Sequence, residues 1–179
     1  VIEYSGECQR LGIQVLPPDI NVSDGGFTVD GQNIRFGLNA VKNVGRNLIA
    51  TTVQERKETP FRSLYDYCKR LYGVEINRRA VESLIKAGAF DRLEDTRRGM
   101  LESVEGILKS VETDARKNVA GQLDLFSQLD DEDEWDDYHI PKVPEYPPQE
   151  LLRMEKEVSG LYLSGHPLDS YREKIEQYA

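Results

Sequence analysis

The chain has 179 residues, 39% of them hydrophobic and 31% charged, with a net charge of −9. That is enough for one ordinary domain or two small ones. No apolar run reaches the roughly eighteen residues of a membrane-spanning helix, and the opening VIEYSGECQRLG has neither the basic flank nor the apolar stretch of a secretory signal. The opening also lacks an initiator Met, so the sequence reads as a piece of a longer chain. Cys8 and Cys68 stand in unlike contexts outside any CxxC pair, and His139 and His166 are isolated. This argues against a disulfide framework or a zinc site and for reduced thiols in a cytoplasmic protein.

Residues 1–36 carry strand and turn signals. Pro17-Pro18 stops regular structure, and FTVDGQNIRF alternates on both sides of Asp30-Gly31, which predicts a small β-hairpin from Phe27 to Phe36. From Leu38 the period becomes helical. Leu38, Val41 and Val44 are spaced by three, and Leu48, Ile49 and Val53 form one face of a next helix. Leu64, Tyr67, Cys68 and Leu71 make a third stripe that stops at Gly73. NRRAVESLIKAG begins with a capping Asn, carries Ala80, Val81, Leu84 and Ile85 on one face and stops at Gly88. A further amphipathic helix follows Thr96, with Leu101, Val104, Leu108 and Val111 inward.

Residues 118–148 break this pattern with the acidic run DDEDEWDD and the proline-rich PKVPEYPP. Charge repulsion and prolines oppose packing, so the stretch reads as a mobile linker. Helix returns at QELLRMEKEV, breaks between Gly160 and Pro167, and resumes. The expectation is a mostly α fold with a small N-terminal β-hairpin and a long mobile acidic and Pro-rich loop. Its organisation would be 1–36 with the hairpin, 37–118 helical, 119–148 linker and 149–179 a C-terminal helical segment.

The net charge conceals a division. Between Arg35 and Arg98 there are fourteen Lys/Arg against eight Asp/Glu, whereas Asp124 to Asp137 holds eight acids and no base. Binding answers to the local field rather than the total. Inside the basic stretch, two segments share a plan of helix, glycine-containing turn and helix: one turns at Asn43-Val44-Gly45, the other at Ala87-Gly88-Ala89-Phe90. Such turns offer backbone N–H groups and a helix N-terminus to a phosphate, and glycine lets the backbone approach. Lys42, Arg46, Lys86 and Arg92 flank them. The candidate duplex-DNA contacts are therefore Lys42, Asn43, Val44, Gly45, Arg46, Lys86, Ala87, Gly88, Ala89 and Arg92, contacts that position a nucleic acid without reading its sequence. Two ordinary helical corners with glycine caps would give the same spacing.

The two segments resemble a tandem helix-hairpin-helix module. CQRLGIQVLPPDIN, IRFGLNAVKNVG, NRRAVESLIKAGAFD and EKEVSGLYLSGHPLDSYR closely resemble the alpha subunits of bacterial replicative DNA polymerase III, the C-family polymerases. The resemblance runs along nearly the whole chain and preserves order. It implies that residues 1–36 end the fingers region, that 37–118 are the DNA-binding hairpins, and that the parent is a DNA-directed DNA polymerase using Mg. This family commonly has glycine where this chain has Asn43, and Asn tolerates the left-handed conformation better than most residues.

QLDLF, comprising Gln122, Leu123, Asp124, Leu125 and Phe126, resembles the pentapeptide by which bacterial proteins bind the sliding clamp. Leu125 and Phe126 can fill an apolar pocket, Leu123 adds a smaller contact, and the Gln122 amide can hydrogen-bond at the rim. The alternative is that these apolar side chains fold back onto the chain's own helices. Chemistry is absent elsewhere. No acid cluster on an apolar framework could hold two metal ions, and Ser164, His166 and Asp169 stand too close in sequence for a triad. The sequence thus reads as a non-catalytic binding segment without a cofactor of its own. Its expected partners are duplex DNA, a sliding clamp and other replicase subunits, with no membrane. The competing readings are a helix-hairpin-helix domain of a DNA-repair nuclease or ligase, and a purely structural interaction domain.

Overall fold

The computed structural model describes residues 2–119, 138–169 and 171–172. The elements in chain order are helix α1 (Ile2–Arg10), strands β1 (Val15–Leu16), β2 (Thr28–Asp30) and β3 (Asn33–Arg35), a 3₁₀ turn at Leu38–Ala40, and helices α2 (Arg46–Glu58), α3 (Leu64–Arg70), α4 (Arg78–Ala87), α5 (Arg97–Val119) and α6 (Pro148–Ser159). The fold is mostly helical with one small sheet, as the sequence predicts. Helix α1 falls where strand and turn signals were read.

The β-hairpin forms, with β2 antiparallel to β3 and Asp30 opposite Asn33. The two residues between them are Gly31 and Gln32, and positive φ is required at Gly31 alone. The turn therefore sits one residue later than the Asp30-Gly31 expectation and needs only one left-handed position. On its other side β3 accepts β1 as a parallel neighbour, Val15 opposite Ile34. Arg35 at the end of β3 is buried. Its guanidinium donates to the Pro17 carbonyl at 3.0 Å and pairs with Asp30, which closes the sheet onto the loop that follows β1.

The expected first helix of the first hairpin is only the 3₁₀ turn. Leu38, Val41 and Val44 are spaced by three, the period at which side chains eclipse in a 3₁₀ helix, whereas an α-helical face alternates threes and fours. Helix α2 buries Leu48, Ile49 and Thr52 rather than Val53. The Thr52 hydroxyl satisfies itself on the Leu48 carbonyl (2.7 Å) and on the Tyr67 hydroxyl (3.0 Å). Tyr67 is the largest wholly buried side chain, edge-on to Phe61 at 4.9 Å and to Phe90 at 5.1 Å. This aromatic cluster joins α2, α3 and the second hairpin into one core.

Helix α4 matches its reading. Asn77 Oδ1 accepts from the Ala80 N–H at 2.9 Å, Ala80, Val81, Leu84 and Ile85 are buried, and Gly88 ends the helix at φ 90°. In α5 the inward stripe is Met100, Val104, Ile107 and Val111, with Leu101 and Leu108 half-buried. The stripe is rotated because a further partner, beyond α3 and α4, covers the flank of α5.

That partner is the stretch 138–147, the part of the expected linker that is described. It is extended and packed rather than loose. The Tyr138 ring stacks on Tyr65 with centroids 6.3 Å apart, and its hydroxyl lies where a Cβ at Gly106 would be. One heptad earlier, the Pro141 carbonyl would meet a Cβ at Gly99 at 2.8 Å. Two small residues on one face of α5 thus open a channel for this strap. The Glu145 carboxylate then accepts the N–H groups of Arg97 (2.7 Å) and Arg98 (3.1 Å), capping the start of α5. The remainder of the expected linker, residues 120–137, lies outside the described residues.

Cys68 is buried in the α3 stripe, and burial pushes its thiol up to about 12, while Cys8 is half-buried in α1. A thiol reacts as its thiolate. At pH 8 the native chain should therefore consume one equivalent of iodoacetamide at Cys8, and Cys68 should react only after denaturation. Mass spectrometry of the alkylated peptides checks this, and early labelling of Cys68 would contradict the buried stripe.

Candidate nucleic-acid interface

The two turns sit in unlike surroundings. In the first, Lys42, Asn43, Gly45 and Arg46 are exposed and Val44 is half-buried against the core. Asn43 adopts φ 65°, the left-handed conformation expected of it. Gly45 is the N-cap of α2, no side chain among the described residues bonds to the cap, and no acidic residue occupies the first turn. The leading N–H groups of a helix have no intrahelical partner and carry partial positive charge. The start of α2 presents them to solvent between two cations. One acid faces the turn: Glu75, itself at φ 51°, brings its carboxylate to 3.7 Å from where a Gly45 Cβ would stand.

The turn is held from behind at two points. The Lys42 N–H donates to the Val158 carbonyl near the end of α6 at 2.8 Å. The Asn43 side-chain amide donates to the Ser83 hydroxyl on α4 at 3.1 Å. Neither partner was legible in the sequence, since each lies forty residues or more away.

The second turn is closed. Ala87, Gly88 and Ala89 are buried, which corrects their reading as outward-facing contacts. Their backbone groups are used internally: the Ala89 carbonyl accepts from Ile20 at 2.9 Å, and the Lys86 carbonyl accepts from Arg97 at 3.2 Å. The start of α5 is capped by Glu145 and by the Thr96 hydroxyl, which accepts from the Gly99 N–H at 3.0 Å. The flanking cations are also engaged, Lys86 with Glu157 of α6 at 3.3 Å and Arg92 with Asp19 at 3.4 Å. Arg92 remains largely exposed and Lys86 half-covered.

Behind this second turn lies a buried ion network. Arg97 is nearly wholly buried and pairs with Asp91 at 2.7 Å and with Glu155 at 3.0 Å. Burial opposes its charge, but the hydrogen bonds and charges of Asp91 and Glu155 prevail and hold its proton more firmly than in a free arginine. Glu155, fully buried, also accepts the N–H groups of Leu163 (2.8 Å) and Ser164 (3.0 Å). Ser164, His166 and Asp169 form no triad. His166 Nδ1 accepts from the Leu168 N–H, and the Asp169 carboxylate accepts from the His166 backbone N–H. Among the described residues, no three His, Cys, Asp or Glu side chains converge on a metal position, and no helix is long and apolar enough to cross a membrane. Gln122, Leu123, Asp124, Leu125 and Phe126 lie outside the described residues.

Comparison with known proteins follows this geometry. Residues 12–100 match the family described as helix-hairpin-helix motif. Over 98% of its length the chain is 40% identical to the DNA polymerase III subunit alpha of Saccharopolyspora erythraea, covering 15% of that protein. It is 38% identical to the subunit of the same name in Escherichia coli (strain K12) over 99% of the chain, covering 16% of that protein. With the Mycobacterium tuberculosis (strain H37Rv) subunit it shares 38% over 93% of the chain, covering 14%. The chain thus spans about 15% of the length of these curated relatives.

Gly88 tests the closed turn. A Cβ there would meet the Arg97 guanidinium at 2.6 Å, on a backbone at φ 90°. Gly88→Ala should lower unfolding free energy by about 2 kcal/mol, from left-handed strain and displacement of the ion pair. Urea denaturation checks this, and a neutral outcome would mean the second turn is looser than described.

Proposed function

This chain belongs to the DNA polymerase III alpha-subunit family, and on that footing we propose that it is the non-catalytic segment through which a cytoplasmic replicative polymerase grips duplex DNA and its sliding clamp. The observation that carries the DNA reading is the α2 N-terminus, uncapped by any side chain among the described residues and flanked by Lys42 and Arg46, within the match to the helix-hairpin-helix motif. A phosphate oxygen seated there would accept the leading N–H groups while the two cations reach adjacent phosphates. Such contacts are independent of base sequence and suit an enzyme that must travel along its template. The second hairpin serves mainly as the frame behind the first, with Arg92 and Lys86 as peripheral charges.

Clamp tethering rests on the Gln122–Phe126 pentapeptide, whose apolar anchors in polar surroundings are accounted for if a partner buries them. The two contacts reinforce each other. Once one is made, the other becomes intramolecular, so weak sites together give prolonged attachment. Polymerisation itself, with its Mg ions, and contacts with other replicase subunits would belong to the longer protein. A repair nuclease or ligase has no counterpart among the relatives named above.

Two measurements test these halves separately. Lys42→Ala and Arg46→Ala should each weaken binding to any duplex sequence and lower the slope of log affinity against log salt by about one. Fluorescence anisotropy at several salt concentrations reads this, and unchanged slopes would sink the first-hairpin assignment. Leu125→Ala with Phe126→Ala should abolish binding to the cognate sliding clamp by surface plasmon resonance while leaving duplex affinity unchanged. Equal clamp binding by variant and wild type would remove the pentapeptide from the interface.

A further inference from the structure

We propose that Ser83 is a positioning residue for DNA binding, its buried hydroxyl latching Asn43 so that the first turn holds the shape that exposes the α2 N-terminus. The inference rests on the reading of the first hairpin as the phosphate contact and adds a residue that touches no DNA itself.

Asn43 is one of two non-glycine residues with positive φ among the described residues. A side chain in that region is disfavoured unless the surroundings over-determine it. Of the other turn residues Val44 packs against the core, whereas Lys42, Gly45 and Arg46 are exposed and add little to hold Asn43. What holds Asn43 is the 3.1 Å bond from its side-chain amide to the Ser83 hydroxyl. Ser83 is only 3% exposed and sits between Ala80 and Leu84 on the buried face of α4, so its oxygen is fixed relative to the core. A hydroxyl both donates and accepts, so the bond survives either orientation of the Asn amide. One residue earlier, the Lys42 N–H is tied to Val158 of α6. Residues 42 and 43 are therefore pinned to two helices, and after Val44 come Gly45 and Arg46, the cap and first residue of α2.

A glycine at this position would reach the same φ at no steric cost, but with a wider choice of conformations and nothing to bond to α4. Asparagine exchanges that freedom for a latch. The latch also spans the tandem, because Ser83 belongs to the first helix of the second hairpin. The closed hairpin thereby sets the geometry of the open one.

The test is a double-mutant cycle in the 179-residue chain, with wild type, Ser83→Ala, Asn43→Gly and the double variant. Each is titrated with a fluorescent duplex oligonucleotide and probed by amide hydrogen exchange. Each single variant should weaken duplex binding by about three- to tenfold, the range of one lost hydrogen bond. The double variant should bind no more weakly than Asn43→Gly alone. Exchange at Lys42 and Ile49, whose N–H groups bracket the turn and are bonded to the Val158 and Gly45 carbonyls, should accelerate in Ser83→Ala while Leu84 to Ala87 keep their protection. Equal losses from Ser83→Ala in the wild-type and Asn43→Gly backgrounds would overturn the proposal, because the serine would then act through the packing of α4. Wild-type affinity and wild-type exchange in Ser83→Ala would overturn it as well. Should Lys42→Ala and Arg46→Ala leave affinity untouched, the phosphate reading fails, whereas the exchange at Lys42 and Ile49 still decides whether the latch shapes the turn.

Discussion

The buried pair of Arg97 and Glu155 is the constraint on which the arrangement depends. Both side chains are withdrawn from water, at 4% and 0% exposure. Removing either charge from solvent costs several kcal/mol unless every lone pair and proton finds a partner. Here they do. Arg97 is shared among Glu155, Asp91 and the Lys86 carbonyl, and Glu155 takes the N–H groups of Leu163 and Ser164. An ion network this complete needs α6, the loop after it and the α4–α5 hairpin to assemble together. The pair therefore dictates geometry more than it adds stability, since a well-packed apolar substitute could hold the helices equally tightly.

From this follows the inequality of the two hairpins. The second is used up in building the frame: its turn is buried, its cations are paired, and the start of its following helix is capped by Glu145. The first rests on that frame through Lys42 and Asn43 and keeps its own helix start open. Two segments with similar sequence plans thus divide the work, one supporting and one presenting. Glu75 keeps a negative charge beside the presenting turn, so a bound phosphate would meet the two cations on one side and a carboxylate on the other.

Local signals in the sequence foretold local structure. The Asn77 cap, the stop at Gly88, the break at Gly160 and the left-handed Asn43 all appear where residue chemistry demands them. The buried faces of α3 and α4 followed from spacing. Helix α5 also takes the strap against its flank, so its stripe came out rotated, and only the tertiary fit at Gly99 and Gly106 explains why. The strap was misread for a physical reason. Its prolines and acids describe a segment with no fold of its own, but Tyr138 and Ile140 gain a groove that another part of the chain provides. The candidate site was half legible. Spacing identified both turns, but exposure decides which can meet a ligand, and exposure is set by Glu145, Glu155 and Asp19, far away in sequence.

The strap has a consequence for how this region can change over evolutionary time. Along the strap, His139, Lys142 and Pro144 face solvent, while Tyr138 and Pro141 lie against Gly106 and Gly99 of α5. Exchanges at the outward positions do not alter where α6 begins, because the bond from Arg97 to Glu145 fixes that independently. The architecture therefore separates an outer surface free to vary from the inner contacts that must stay constant. A lineage could change the charge of that surface without disturbing the turn at Asn43.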